Sequence, residues 1–200
     1  MRKPNPVAIS GQEDARQGRV LEAALGAFLR YGFRKTSMEE VARAAQLSRQ
    51  GLYLHFPTKE DLFRAALKHA LDTGFAAATN ALLDDAELEP RLVAAIDAWV
   101  GRFVGLDAAC VADLYEASAT LGGPLLAEYE AAFVAALSKA LRGAGLVAAY
   151  KSASVNARQL AETLNATVRG LKHSVTSREE FMEQLTVAVR VFCAPLKVGS

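Results

Sequence analysis

The stretch that decides the fold runs from residue 36 to residue 63 and reads TSMEEVARAAQLSRQGLYLHFPTKEDLF. Thr36 or Ser37 can cap a first helix, because a glutamate follows each of them by three residues, the spacing of a capping box. Ser48 can cap a second helix, which ends before Pro57 because a proline disfavours the helical conformation in the residue that precedes it. The stretch therefore predicts two short helices joined by a turn of about three residues.

Two short helices at this spacing form a helix-turn-helix, whose second helix places its N-terminal half in the major groove of DNA. The residue types suit that role, because Arg49 can contact a guanine edge through two hydrogen bonds and Gln50 can do the same with adenine. Ser48, Tyr53 and His55 are predicted to contact phosphates. The predicted hydrophobic anchors of the segment are Leu47, Leu52, Leu54 and Phe56.

Lys59 opens a longer helix directly after this segment. Its ammonium group and the positive end of the helix dipole are expected to act together on one phosphate. A solvated lysine is the alternative. Arg34 and Lys35, before the first short helix, are predicted phosphate neighbours rather than residues that read bases.

The segment resembles the DNA-binding part of the TetR family of transcriptional regulators over residues 16–64. The positions that carry the resemblance are Thr36, Val41, Ala42, Ser48, Gly51, Tyr53, Phe56 and Lys59. The resemblance implies a homodimeric repressor that binds double-stranded DNA and whose C-terminal helical domain binds a small effector; on this basis Thr36 joins the predicted DNA-binding residues. Gln46 departs from the family, which usually has glycine in the turn. Either its backbone is left-handed, at a cost of about 1 kcal/mol, or the turn differs slightly.

The composition around this segment predicts an all-α protein. Of 200 residues, 39 are alanine and 26 are leucine, against six prolines and 14 glycines. A hydrophobic content of 52% with 22% charged residues excludes a disordered chain. The longest stretches without a charge have 11 residues, too few for the roughly 20 that cross a bilayer. With no secretory signal expected and no disulfide or zinc pattern around Cys110 and Cys193, the sequence predicts a cytoplasmic protein without membrane contact.

Hydrophobic periodicity and helix start and stop signals predict nine helices. Besides the two short helices, these cover residues 16–31, 59–83, 89–106, 109–121, 124–142, 155–175 and 178–194. The predicted domains are a disordered tail at residues 1–14, a helix-turn-helix domain at 15–58, and a helical domain for effector binding and dimerisation at 59–200. Residues 1–69 carry a net charge of +5 and residues 70–200 carry −4, consistent with one end meeting a polyanion.

The last two predicted helices each carry an apolar stripe that suits pairing with a second copy, since a dimer is needed to bind paired half-sites. The predicted interface residues are Leu164, Val168, Leu171, Leu185 and Phe192. The alternative is that both stripes face the core of their own subunit.

The helices between these two regions are expected to enclose a small-molecule effector, because a pocket needs an apolar wall with few polar anchors. The predicted lining is Phe75, Trp99, Arg102, Phe103, Tyr115, Tyr129 and Phe133. Plain core packing of these aromatic residues is the alternative. The acidic excess hints at a cationic apolar compound, whereas Arg102 suits a carboxylate.

An enzyme is not expected, because the three histidines lie far apart in sequence and neither cysteine has a histidine neighbour. No catalytic residue, metal ligand or cofactor is therefore predicted. Cys110 is either a small buried hydrophobe or a redox or metal sensor. The main alternative function is a helical small-molecule-binding protein without DNA activity.

Overall fold

The computed structural model describes the backbone of residues 6–198 and the side chains of residues 15–197. In this part of the chain the all-α prediction is confirmed, with ten α-helices rather than nine and two short 3-10 turns, at Gly101–Phe103 and Lys151–Ala153. The helices are α1 (Pro6–Lys35), α2 (Met38–Ala44), α3 (Arg49–His55), α4 (Lys59–Leu83), α5 (Leu88–Val100), α6 (Ala108–Leu121), α7 (Leu125–Gly143), α8 (Leu146–Ala149), α9 (Ala157–Ser174) and α10 (Arg178–Val198). The additional helix is α8, whose four residues are too few to show a periodic pattern.

Helix α1 begins ten residues earlier than predicted, at Pro6. Residues 6–14 of the predicted tail are therefore helical, whereas residues 1–5 lie outside the described part of the chain. Near its other end the helix is interrupted at Gly32, where φ is 81° and ψ is 169°. Only glycine adopts this conformation readily, so the chain turns here towards α2.

The chain divides into two compact units. Unit 1 comprises Met1–Asp72 and Leu106–Leu126, and unit 2 comprises Thr73–Gly105 and Ala127–Ser200. This division differs from the predicted boundary after residue 58, because α4 contributes to both units and α6 belongs to unit 1. The reason is long-range packing of α6 along α1, which no local sequence pattern encodes.

The core of unit 1 surrounds Phe28 of α1. Its ring lies 5.1 Å from that of Phe63, measured between centroids and in an edge-on arrangement, and 6.0 Å from that of Phe33. Leu52 of α3 and Leu62 of α4 are completely buried in the same cluster. The two short helices are therefore attached to the long ones through apolar side chains that leave the other face of α3 exposed.

Unit 2 has a separate core to which α5, α7, α8, α9 and α10 contribute. Its most deeply buried large side chains are Leu92, Ile96, Phe133, Leu137, Leu141, Leu146, Leu164, Phe181 and Leu185. The hydroxyl of Tyr150 donates a hydrogen bond of 2.9 Å to the carbonyl oxygen of Phe192 and attaches the segment after α8 to α10. Within the described residues, no helix combines the length and the apolar character needed to cross a membrane.

Candidate nucleic-acid interface and effector site

Helix α2 begins with a complete capping box. The side chain of Ser37 accepts a hydrogen bond of 3.2 Å from the amide of Glu40, and the carboxylate of Glu40 accepts one of 2.8 Å from the amide of Ser37. Of the two predicted caps, Ser37 is therefore the one used. The hydrogen bond from the Ser37 amide, and then that from its hydroxyl, lower the pKa of Glu40 below its ordinary value.

Thr36 has a different role from the predicted one. Only 1% of the surface of this residue is exposed. Its hydroxyl donates hydrogen bonds to the carbonyl oxygens of Gly32 (2.6 Å) and Ala27 (3.3 Å). A buried hydroxyl that is bonded inside the protein cannot reach a phosphate, so the prediction that Thr36 binds DNA is wrong. Thr36 instead satisfies carbonyl groups at the interruption of α1.

The turn between the two short helices takes the left-handed alternative at Gln46, where φ is 56°. The amide of Leu47 then bonds to the carbonyl oxygen of Ala42 at 2.8 Å, which closes the turn. Ser48 caps α3 as expected, since its side chain accepts a hydrogen bond of 3.0 Å from the amide of Gly51. The segment thus has the helix-turn-helix connection that the sequence predicts.

The exposed side of α3 carries the residues predicted to read DNA. Arg49, Gln50, Tyr53 and His55 are all exposed. The guanidinium carbon of Arg49 lies 5.6 Å from the centroid of the Tyr53 ring, close enough for a cation–π interaction. The contact places the guanidinium and the ring side by side on the outer face of α3.

Three of the four predicted anchors of α3 face inwards, and one does not. Leu52 and Phe56 are buried and Leu47 is half-buried. Leu54 is 79% exposed, so its prediction as an anchor is wrong. The physical reason is the helical period: Leu54 lies two positions from both Leu52 and Phe56, about 200° around the helix.

The ammonium group of Lys59 is directed into the protein. It donates to the carbonyl oxygens of Phe33 (3.0 Å) and Arg34 (3.3 Å) and lies 4.5 Å from the centroid of the Phe33 ring. Two of its three hydrogens therefore bond to the C-terminal end of α1, a role that the sequence analysis missed. The N-terminus of α4 is capped by other residues: the Thr58 hydroxyl oxygen accepts a hydrogen bond from the Asp61 amide, and the hydroxyl donates one to the Asp61 carboxylate.

Arg34 is likewise engaged within unit 1, by α6. Its backbone amide donates a hydrogen bond of 2.9 Å to the carboxylate of Asp113, and its guanidinium lies 2.6 Å from the carboxylate of Glu116. The Leu106–Leu126 segment has three acidic side chains and no Lys or Arg, and two of the three, Asp113 and Glu116, pair with Arg34 beside the helix-turn-helix. Sequence reasoning could not find this pairing because 79 residues separate Arg34 from Asp113.

Cys110 lies beside the same end of α1. Its thiol donates to the carbonyl oxygen of Leu29 at 3.2 Å, and burial raises its pKa above the ordinary value. A thiol held in the protonated form is a poor nucleophile and a poor metal ligand. The geometry therefore favours the structural alternative over a sensor. Among the described residues, no three His, Cys, Asp or Glu side chains are grouped so that they could hold a metal ion.

Four of the seven predicted effector residues lie together in unit 2. Trp99 stacks on Phe133 with 5.2 Å between ring centroids, and the ring of Phe75 meets those of Trp99 (6.4 Å) and Tyr129 (5.8 Å) edge-on. We call these four residues the aromatic cluster. Trp99 and Phe133 are buried, whereas Phe75 and Tyr129 are half-buried and form its accessible part.

The other three predicted effector residues are placed differently. Phe103 and Arg102 are in the 3-10 turn after α5, and the Phe103 ring lies 5.9 Å from the ammonium of Lys172, whose pKa is lowered mainly by burial. Tyr115 is on α6, which belongs to unit 1, and is 63% exposed. The aromatic cluster of unit 2 is therefore smaller than the predicted lining.

The predicted dimer interface needs correction. Leu164, Val168 and Leu185 are at most 1% exposed, because they form the core of unit 2. Side chains already buried in their own subunit have no surface to offer a second copy. These three residues therefore follow the alternative, in which the apolar stripes face the core of their own subunit. Leu171 and Phe192 are half-buried and retain some accessible surface.

Comparison with known proteins places this geometry in a family. Residues 20–66 match the family model of bacterial regulatory proteins, tetR family. The HTH-type transcriptional regulator YfiR of Bacillus subtilis is 39% identical over 70 residues, which are 35% of this chain and 34% of that protein. The chain thus matches about a third of the length of such curated relatives.

The likeness in fold extends further than the likeness in sequence. A Rhodococcus sp. protein assigned to the TetR family of transcriptional regulators has a TM-score of 0.61 and 26% identity, with 88% of this chain and 97% of that chain covered. A transcriptional regulator of Saccharomonospora viridis, solved in complex with choline, has a TM-score of 0.65 and 19% identity over 89% and 96% of the two chains. Residues 20–66 therefore match the tetR family of bacterial regulatory proteins, and the chain as a whole shares the fold of a protein assigned to that family.

Proposed function

We propose that this protein is a dimeric transcriptional repressor that binds a palindromic DNA operator through α3 and releases it when a small molecule binds in unit 2. The observation that carries the proposal is the exposed face of α3, where Arg49, Gln50 and Tyr53 project from a capped helix-turn-helix. Ser48 and His55 flank this face as predicted phosphate contacts, and Lys59 remains a predicted contact through its third hydrogen.

The DNA-binding part of the proposal is tested with duplexes selected from a randomised library. We expect a palindrome with half-sites about 34 Å apart and an affinity that falls steeply with salt. Arg49→Ala should cost roughly 1 to 3 kcal/mol and relax the preference at one base pair in each half-site. Arg64→Ala, which removes another exposed cation of unit 1, is the control and should leave base preference unchanged. Unchanged affinity and preference in Arg49→Ala would place the reading helix elsewhere.

Dimerisation is proposed for the outer faces of α9 and α10 instead of the buried stripes. Val187 and Val191 are 55% and 67% exposed, unusual values for valine, and lie on one face of α10. On α9, Ala166 and Gly170 are exposed, and no atom lies within 4 Å of where a Gly170 Cβ would be. Small outward residues on α9, together with exposed valines on α10, would allow a second pair of helices to approach closely.

Light scattering tests this surface. Val191→Glu should yield monomers, because the interface would have to desolvate an unpaired charge. Leu83→Glu, at a leucine that is 73% exposed at the end of α4, is the matched control and should remain dimeric. A dimer in both variants would move the interface away from α10. Leu164→Glu is unsuitable, because it would disrupt the core before it could report on pairing.

The aromatic cluster is the proposed effector site, since aromatic faces bind apolar and cationic groups. A ligand lowers operator occupancy only if it binds the DNA-incompetent state more tightly. Helix α4 is the proposed lever, because one continuous helix supplies Lys59 to unit 1 and Phe75 to unit 2.

Trp99, the only tryptophan, makes its fluorescence a local reporter of this site. Choline and decanoate are suitable first probes for a cationic and an anionic effector. Phe75→Ala and Tyr129→Ala should weaken a probe that releases DNA, whereas Tyr115→Ala in unit 1 should not. A releasing probe that leaves both Trp99 emission and these variants unaffected would rule out the cluster. The alternative, a small-molecule-binding protein without DNA activity, predicts probe binding but no selected duplex.

A further inference from the structure

Leu54 has the most exposed of the large apolar side chains that the structure describes, at 79% of its full area. It lies on α3, whose inner face already buries Leu52 completely. The side chain therefore contributes nothing to the core of unit 1. Leaving a leucine in water forgoes the stabilisation that burial would provide, so a partner that covers it on binding would recover that free energy.

The position of Leu54 on α3 specifies what could cover it. Residues four apart on a helix are neighbours on its surface, so Leu54 follows Gln50 just as Tyr53 follows Arg49. The exposed side of α3 thus has two adjacent rows, one aromatic and cationic and one formed by an amide and an alkyl group. Both rows are on the side proposed to enter the major groove.

An alkyl side chain limits the contacts that are possible in the groove. Leucine neither donates nor accepts hydrogen bonds, so phosphate oxygens and polar base edges offer it nothing. The apolar group that base pairs display in the major groove is the 5-methyl of thymine. Gln50, four residues earlier, has the amide that suits adenine, and every adenine in a duplex is paired with a thymine.

We propose that Leu54 is a specificity-determining residue that packs on a thymine methyl group, in the A·T pair read by Gln50 or in the pair next to it. This inference rests on the proposed DNA-binding function and names the base that the operator must contain. Binding then removes from water both the leucine side chain and the methyl group. The free energy gained from this contact depends on the methyl group alone. It can therefore be measured separately from the hydrogen bonds of Gln50.

The test uses the duplex selected from a randomised library with the full-length protein, in which each thymine is replaced in turn by deoxyuridine. This replacement deletes only the methyl group and keeps the base pairing. At one position in each half-site we expect affinity to fall about fourfold per methyl removed. Leu54→Ala should bind the thymine duplex more weakly and show no further loss with deoxyuridine at that position.

Two controls make the result specific. Leu83→Ala removes another exposed leucine, outside α3, and should keep the full sensitivity to deoxyuridine. Gln50→Ala should weaken binding yet retain sensitivity to the missing methyl. Because Leu54 is exposed, circular dichroism of Leu54→Ala should match that of the unaltered protein.

The outcomes separate the inference from the function on which it rests. If a duplex is selected but Leu54→Ala remains fully sensitive at every thymine, the methyl contact is refuted while DNA binding stands. The same conclusion follows if deoxyuridine has no effect on the unaltered protein. If no duplex sequence is enriched, the proposed function fails and the inference fails with it.

Discussion

In unit 1 the C-terminal end of α1 is held by hydrogen bonds from three other parts of the chain, whereas in unit 2 aromatic rings from α4, α5 and α7 pack on one another. Lys59, Cys110 and Thr36 donate to carbonyl oxygens of α1, and Asp113 accepts from its Arg34 amide. Hydrogen bonds are directional, so they define the position of the segment that leads into the helix-turn-helix.

The aromatic cluster of unit 2 is held by contacts that depend less on direction. Edge-on and offset-stacked arrangements of rings are both favourable, so such a group is not restricted to one orientation of its members. The difference teaches that the two units are held together in different ways: directional hydrogen bonds fix the segment that leads into α2 and α3, whereas ring packing leaves a half-buried apolar surface at Phe75 and Tyr129. Substitutions that break one type of contact at a time test this contrast.

The largest effect is expected from Phe133→Ala in unit 2. Its side chain is fully buried and stacked on Trp99, so truncation should lower the free energy of unfolding by about 3 to 5 kcal/mol. Urea denaturation followed by circular dichroism measures the change. Phe75→Ala, in the same cluster but half-buried, should cost clearly less. Equal losses in the two variants would contradict a cluster with one buried and one accessible side.

The next largest effect is expected at the interruption of α1. Gly32→Ala would place a Cβ 2.5 Å from the carboxylate of Asp113 in a backbone conformation reserved for glycine, at a cost of about 1 to 3 kcal/mol. Gly26→Ala is the matched control in the same helix, where a Cβ meets no atom within 4 Å. It should stabilise the protein by roughly 0.5 to 1 kcal/mol. Thermal unfolding of the two variants should therefore shift in opposite directions.

A smaller effect is expected from the attachment of α6 to α1. Asp113→Ala removes the acceptor of the Arg34 amide together with a 3.4 Å ion pair to the Arg34 side chain, and should cost about 1 to 2 kcal/mol, since hydrogen bonds to charged groups exceed neutral ones. Glu116→Ala removes only an exposed ion pair with the same arginine and should cost less than about 1 kcal/mol. Urea midpoints compare the two. A larger loss for Glu116 would mean that its ion pair with the guanidinium, rather than the contacts of Asp113, attaches α6.

The smallest effect concerns pH and the capping box of α2. The folded pKa of Glu40 lies below its ordinary value of 4.5, so the carboxylate stabilises the fold fully above pH 4.5. This contribution disappears as pH falls through the lowered pKa. Glu40→Gln should therefore narrow the difference in stability between neutral and acid solution. An unchanged pH profile would show that the box contributes no measurable stability.

Local signals in the sequence were sufficient for the helix-turn-helix. Ser48 with Gly51, and Ser37 with Glu40 as one of two predicted caps, interact within a few residues, so short-range spacing indicates them. The choice of Ser37 over Thr36 and the left-handed backbone of Gln46 were left open by the sequence and decided by the structure. The same spacing predicted the residues on the outer face of α3. It assigned Leu54 to the wrong face because the anchors were chosen by hydrophobicity rather than by position around the helix.

Apolar stripes identified α9 and α10 as helices without revealing what covers each stripe. Leu164 and Leu185 would show the same period whether they faced their own core or a second copy. The structure distinguishes these cases because burial depends on which helices meet. Val187 and Val191 lie outside the predicted interface. They are recognised as exposed only when the structure shows which apolar residues of α9 and α10 are buried.

The sequence by itself determined the all-α class, the capped helix pair and the chemistry displayed by Arg49, Gln50 and Tyr53, because these depend on propensities and on contacts between near neighbours. Only the tertiary structure decided that α6 belongs with α1, that Thr36 and Lys59 bond inside the protein, and that Phe75, Trp99, Tyr129 and Phe133 form one cluster. Those features join residues far apart along the chain, and their partners are chosen by the packing of whole helices rather than by any spacing that can be read locally.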